Sequence, residues 1–393
     1  MGFFHQTSAI SIMSARSLPQ RLGASSVIVV GIAGVVGVLI SILAMVTGLL
    51  QITNSSAHPD RAVVMSTGTD YEILSNLSRE ATRTIAEARA VRRDAHNRPL
   101  ASAEVLVLVH LPLRTGGSGN LTLRGVSPNA FALRPELRVV EGRMFNPMLR
   151  ELIVGRTAQR QFRDLQVGRR LLVRGAEWTI VGAFDGGGDR HESEMLSGVE
   201  VLQSTFQRNT FQSVTVQLDS AASFADFRAS LESNPALGIE VMRESDYYLH
   251  QSRAFAQLLT FIAYLVGSIM AIGAVFGALN TMYAAVSARA VEIATLRVLG
   301  FEPGSIVTSV FTEALVLAAL GGALGGILAW LLFSGHAIST NGGGLTQLSV
   351  PIVVNARLVA VGILWACIIG MVGASFPALR AIRAPLACAL KAT

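Results

Sequence analysis

Long apolar stretches flank one extended segment in which polar and apolar residues alternate at short range. Ser26 to Leu50 carries no charge and exceeds the roughly 20 residues that a helix needs to cross a bilayer. Ala254 to Ala288 is also uncharged and longer than a crossing requires, so its helix is expected to project beyond the membrane. A third stretch, Ile306 to Phe333, is interrupted only by Glu313, and a fourth, Leu358 to Leu379, has Pro377 near its end. A cleavable signal peptide has an apolar core of about 7–15 residues, so the length of the first stretch favours an uncleaved helix. The pattern predicts an α-helical membrane protein with four transmembrane helices, at 26–50, 254–286 (with a stalk), 303–333 and 352–379.

Residues 51–253 read as a mixed α/β extracytoplasmic domain. Short β-branched or alternating runs predict strands at Arg61–Ser66, Val105–Val109, Leu121–Gly125, Glu151–Val154, Arg170–Val173, Trp178–Ala183, Ser213–Leu218 and Ile239–Met242. Helices are predicted at Ser78–Val91, with Ser78 as N-cap, and at Ala222–Ser233.

Charge refines this layout. The chain of 393 residues is 51% hydrophobic and only 15% charged, with a net charge of +6. Residues 52–253 hold 24 of the 32 basic and 23 of the 26 acidic side chains, so the net charge belongs mostly to the flanks of the apolar stretches. The N-terminal segment 1–25, the 287–302 connection and the tail 380–393 carry Arg16, Arg21, Arg289, Arg297, Arg380, Arg383 and Lys391. The short loop 334–351 carries no Lys or Arg, and the positive-inside rule therefore puts both termini in the cytoplasm and 51–253 outside. Arg92-Arg93 and Arg169-Arg170 are isolated pairs among acids, which argues against nucleic acid as a partner.

Candidate chemistry is sparse. Two cysteines, Cys367 and Cys388, exclude a disulfide framework, and Lys391 is the one lysine, so no Walker A loop can form in this chain. Asp185, Asp189, His191, Glu192 and Glu194 beside Gly186-Gly187-Gly188 match no calcium-loop spacing and read as a solvated, flexible loop. The seven histidines form no zinc-type pair, and there is no Gly-x-Ser-x-Gly elbow. Neither a catalytic residue nor a metal or cofactor site is expected in this chain.

The informative segment runs from Ser287 to Gly300. On a helical wheel Val291, Ala294 and Val298 share an apolar face, with Arg289, Glu292 and Arg297 in the opposite arc. Gly300 supplies a stop and Pro303 opens the next helix. Such a helix serves either as a headgroup-level anchor or as a docking element for a cytoplasmic partner. Glu313, near one end of the third span, is either functional or snorkels to the interface. The pairs Gly273/Gly277, Gly321/Gly325 and Gly322/Gly326 permit close helix packing, though glycine is common in spanning helices in any case.

Ser287, Arg289, Glu292-Ile293, Leu296-Arg297 and Leu299-Gly300 resemble the signature of FtsX-like ABC transporter permeases. The resemblance continues through Ile306, Glu313, Gly321-Gly322 and Gly325, and resumes at Pro377-Ala-Leu-Arg380 and at Pro385 with Ala389-Leu390. Gly142-Arg143-x-Phe145, Val154-Gly155, Val167-Gly168 and Val181-Gly182 are similar, in order, to the MacB-like periplasmic core. Two departures stand out: Ala288-Arg289 replaces a frequent Glu-Arg, and the chain starts almost at its first span, whereas the macrolide-exporter branch has a fused N-terminal ATPase.

The resemblance implies an inner-membrane, multi-pass permease subunit, non-catalytic itself. Its partners would be a separate ABC ATPase that binds ATP and Mg, a second permease chain, membrane lipid and a periplasmic adaptor protein. Arg289, Glu292, Ile293, Leu296, Arg297 and Gly300 would couple to the ATPase. ATP hydrolysis would drive export or extraction of an amphiphile (lipid, lipoprotein, peptide or drug) by mechanotransmission. The alternative is a regulator that moves no substrate and activates a cell-wall hydrolase, as in the cell-division branch.

Overall fold

A computed structural model describes residues 22–55, 58–334, 336–340 and 348–383; Arg16, Arg21, Pro385, Cys388, Ala389, Leu390 and Lys391 lie outside these. Contacts divide the chain into a helical unit (Met1–Thr47, Leu258–His336, Ile352–Thr393) and an α/β unit (Gly48–Gln257, Ala337–Pro351).

Five helices carry the apolar stretches and their connection: α1 (Leu22–Ser55), α2 (Glu244–Ala288), α3 (Ala290–Val298), α4 (Pro303–Phe333) and α5 (Ala356–Arg383). Four of them are long and apolar enough to cross a membrane, over Ser25–Thr53, Glu244–Ala288, Pro303–Phe333 and Ala356–Ile382. Two boundaries differ from expectation. The α2 helix begins at Glu244, not Ala254, because Tyr247 and Tyr248 in its first turns pack on Val63 and Met65 of the α/β unit. The α5 helix runs through Pro377 to Arg383.

In the helical unit, Ile32, Val36 and Ile40 pack with Ala314, Leu317 and Ala318 of α4, Ala366 and Ile369 of α5, and Ala271, Ala278 and Met282 of α2. The glycines of α4 work on two faces. A Cβ at Gly325 would stand 2.5 Å from the Ala33 carbonyl of α1, and one at Gly322 would stand 2.9 Å from Cβ of Ala366 on α5. Gly321 abuts Val29 and Ile32, and Gly326 abuts Val359. Gly273 and Gly277 depart from the packing expectation: among the described residues nothing lies within 4 Å of a Cβ at either. That side of α2 is not covered by its own bundle.

The α/β unit is built on a ten-stranded sheet. Its strands are β1 (Arg61–Ser66), β2 (Ala101–Pro112), β3 (Ser118–Val126), β4 (Arg138–Gly142), β5 (Glu151–Gly155), β6 (Arg170–Val173), β7 (Ala176–Asp185), β8 (Glu194–Gly198), β9 (Ser213–Gln217) and β10 (Ile239–Arg243). Their order is β10-β1-β9-β2-β3-β8-β5-β7-β4, with β6 on β7. Pairing is antiparallel except β3 with β8 and β5 with β7. The inward positions of the predicted strands, such as Val105, Val107, Leu121 and Leu123, fill the core around Trp178. A short pair, β11 (Ala337–Thr340) with β12 (Leu348–Pro351), belongs to the same unit.

Three corrections concern this unit. The helix expected to Val91 spans Arg79–Ala86, capped by the Ser78 side chain. Beyond it Arg92 N–H bonds the Gln217 carbonyl and Val91 bridges Leu218, so pairing with the β9 end overrides the helical pattern. The segment expected as a solvated, flexible loop around Asp189–Glu194 is instead buried, with Glu194 opening β8. Its charges leave water because each finds partners, as described below. Finally β4 escaped prediction because it is an edge strand whose residues are nearly all exposed.

Candidate functional site

The helical unit holds the sequence-predicted residues in one turn region between α2 and α4. Arg289, with φ −105° and ψ 12°, breaks α2 from α3. At the other end Gly300 takes φ +90°, its N–H bonds the Arg297 carbonyl and the Phe301 N–H bonds the Leu296 carbonyl, which is a Schellman close. A side chain at Gly300 would be strained in that left-handed conformation. Pro303 then opens α4, where a missing N–H is harmless.

Which way α3 faces differs from the wheel. Ile293 and Leu296 pack with Val286 and Phe301 around Ile306 and Ala381. Arg289 points inward and meets the Glu313 carboxylate at 3.1 Å, both side chains nearly buried. Arg297 Nη1 donates to the Ile382 carbonyl at 3.1 Å, which places a cation at the last turn of α5, where carbonyls lack partners. Val291, Val298 and Leu299 are therefore turned out, together with Glu292. Of the expected apolar face Ala294 is buried while Val291 and Val298 are exposed, because the two arginines find acceptors inside and Ile293 and Leu296 take the neighbouring inward positions. Glu313 is held by Arg289.

The α/β unit contains a second cluster that sequence reasoning missed. Arg124 directs Nε and Nη2 to Glu194 (2.7 and 3.0 Å), Nη1 to Glu104 (2.7 Å) and Nη2 to Glu72 (3.1 Å). Glu104 also accepts from Arg134 at 2.6 Å, and Arg134 reaches the Thr215 hydroxyl at 3.1 Å. All five charged groups are buried. Burial alone would raise the Glu104 carboxyl, yet Arg134 and Arg124 outweigh it and hold it down to about 2. Glu194 is likewise held below the usual range by Arg124 against its burial. Nearby, Arg61 forks onto Glu136 (2.6 and 3.0 Å) and lies 3.7 Å from Glu244, the first residue of α2. His191 is buried against Asp189 at 2.8 Å, and Arg190 stacks over Tyr248 at 4.2 Å. Among the described residues no group of three or more His, Cys, Asp or Glu could hold a metal. The legible signal was Arg124 itself, a cation in the middle of the apolar strand Leu121–Val126.

Comparison with known proteins gives two family matches. Residues 25–234 match the MacB-like periplasmic core domain, and residues 264–386 match the FtsX-like permease C-terminal region. The chain is 26% identical over 288 residues to the uncharacterized ABC transporter permease YknZ of Bacillus subtilis, covering 67% of this chain and 68% of that one. It is 25% identical over 371 residues to the macrolide export ATP-binding/permease protein MacB of Campylobacter jejuni, covering 81% of this chain and 54% of that protein. Among solved structures, the extracellular domain of YknZ superposes with TM-score 0.36 at 18% identity, over 46% of this chain and 99% of that domain. The periplasmic region of MacB from Actinobacillus actinomycetemcomitans gives 0.37 at 11%, over 50% and 94%. The first family match alone extends over more than half of the 393 residues, and with the second it joins an α/β unit to apolar helices in the expected order: the chain belongs to the MacB/FtsX-type ABC transporter permeases.

Proposed function

We propose that this permease is the membrane subunit of an ATP-driven transporter, coupling ATP hydrolysis by a separate ATPase to export or extraction of an amphiphile. Its helices cross the cytoplasmic membrane with both termini inside, and the α/β unit stands outside. The ATPase binds ATP and Mg; this chain supplies the contact and the moving parts. One observation carries the reading: α3 turns Val291, Glu292, Val298 and Leu299 outward, while Arg289 and Arg297 tie its other side to α4 and α5. A helix fastened on one side and bare on the other passes a push to the helices that hold it. The α2 helix, continuous from Glu244 to Ala288, supports mechanotransmission along one element. A second permease chain fits the uncovered side of α2 with Gly273 and Gly277, where Phe261, Ile269 and Phe276 are exposed. An adaptor outside the membrane completes the reading.

The test is Glu292→Arg, an exposed charge reversal that leaves packing untouched. The ATPase should no longer co-purify in mild detergent, while the thermal melt of the permease stays unchanged. Normal co-purification overturns the docking assignment, and recovery of a cell-wall hydrolase in place of an adaptor would favour the regulatory alternative.

A further inference from the structure

The α/β unit has a cleft of about 520 Å³, within the size range of small-molecule sites. Part of its lining is apolar and comes from Leu113, Pro351 and Ile52, the last of these in the final turns of α1, within Ser25–Thr53, a stretch long and apolar enough to cross a membrane. The rest of the lining is polar and of mixed charge, with Arg160 and Arg190 alongside Asp185, Asp189 and Glu192. Arg160 stands in the wall, exposed, with no salt bridge to a described acid. It belongs to a run, Arg143 to Arg174, with eight arginines against two acids, all eight exposed, so Arg169-Arg170 is part of a basic lobe and not an isolated pair. Beside Arg160, Gln161 also lines the cleft.

The same lining carries acidic side chains. Glu192 receives the Gly186 and Gly188 N–H groups at 2.8 Å each and the Thr157 hydroxyl at 2.9 Å. Asp185 accepts from the Gly187 N–H at 2.8 Å and lies within hydrogen-bond reach of Glu192. The Gly187 hydrogen bond first, then Glu192, with Arg156 and Arg160 adding, hold the Asp185 carboxyl below its ordinary range. Two adjacent carboxylates favour a cationic group on the ligand, and an exposed guanidinium favours an anionic oxygen. An anion alone would meet the carboxylates, and a cation alone would meet the arginines.

We propose that this cleft binds the zwitterionic phosphoamine headgroup of an amphiphile, with the phosphate at Arg160, the amine at Asp185 beside Glu192, and the first carbons of the tail against Ile52, Leu113 and Pro351. This rests on the amphiphile reading above and narrows its substrate class.

The experiment titrates the full chain, without nucleotide in nonionic detergent, with dihexanoyl-phosphatidylethanolamine below its micelle concentration, by calorimetry. Dihexanoyl-phosphatidylglycerol and free phosphoethanolamine are titrated alongside. Phosphatidylethanolamine should bind at least tenfold more tightly than either, and Arg160→Gln and Asp185→Asn should each weaken it about tenfold. Equal binding of phosphatidylglycerol overturns the amine subsite, equal binding of free phosphoethanolamine overturns the amphiphile, and no binding, or binding that none of the variants changes, overturns the site. ATPase assembly and headgroup binding are separate readouts, so loss of one reading does not carry the other with it.

Discussion

In the α/β unit, Arg124 meets three carboxylates and shares one of them with Arg134, whereas in the helical unit the carboxylate that Arg289 meets among the described residues is that of Glu313. Both arrangements remove charge from water, and they do so under different constraints. A sheet interior surrounds a guanidinium with neighbours from β2, β3 and β8, so its donors can be met in several directions and the cluster becomes a crossing point of the fold. A helix bundle offers side chains from one or two facing helices, so a pair is what fits, and it forms beside a helix end where the backbone turns. The first arrangement holds a domain together; the second fixes the angle of one short helix.

The largest effect should come from breaking the crossing point. Arg124→Leu leaves Glu72, Glu104 and Glu194 buried without their shared cation, at a cost of about 3–5 kcal/mol. Denaturant unfolding followed by Trp178 fluorescence would read it, and a loss under about 1 kcal/mol would show that the network is slack.

Acid should dismantle the same network with a defined sign. The Glu104 carboxyl moves from 4.5 to about 2 in the folded chain. Its contribution is therefore present above pH 4.5 and is lost as pH falls toward 2, with Glu194 shifting in the same direction. The melting temperature should hold from pH 7 to pH 5 and then drop; in Glu104→Gln the acid-side drop should shrink.

The pair in the helical unit should matter least for stability. Arg289→Gln and Glu313→Gln, combined in a double-mutant cycle, should show a coupling of about 1 kcal/mol, typical of polar contacts between membrane helices. A coupling as large as that expected at Arg124 would erase the contrast between the two regions. Loss of ATPase stimulation without loss of stability would sharpen it.

Legibility in the sequence follows the same divide. Spans and central strands were readable because apolar runs have a length and a period, as at Ser26–Leu50 and Val105–Val109. The two faces of α4 could be expected from Gly321, Gly322, Gly325 and Gly326, and the close of α3 from Gly300 and Pro303. What failed was the treatment of charge as solvated at Asp189, Glu194, Arg289 and Arg297, while Glu292 is exposed as its place in the polar arc suggests. Glu194 and Asp189 looked like loop residues since their partners lie at Arg124 and His191, reached only through sheet register and a local turn. The outward face of α3 was misread for the same reason: local periodicity ranks Arg297 as polar and exposed, while the Ile382 carbonyl that accepts from it is far along the chain.

A single helix places Tyr247 and Tyr248 in one hydrophobic core and Ala271, Ala278 and Met282 in another. The element is continuous over 45 residues yet serves two cores packed from different residues. Substitutions in its two halves share no partners there, so Tyr248→Ala and Met282→Ala should lower stability by amounts that add.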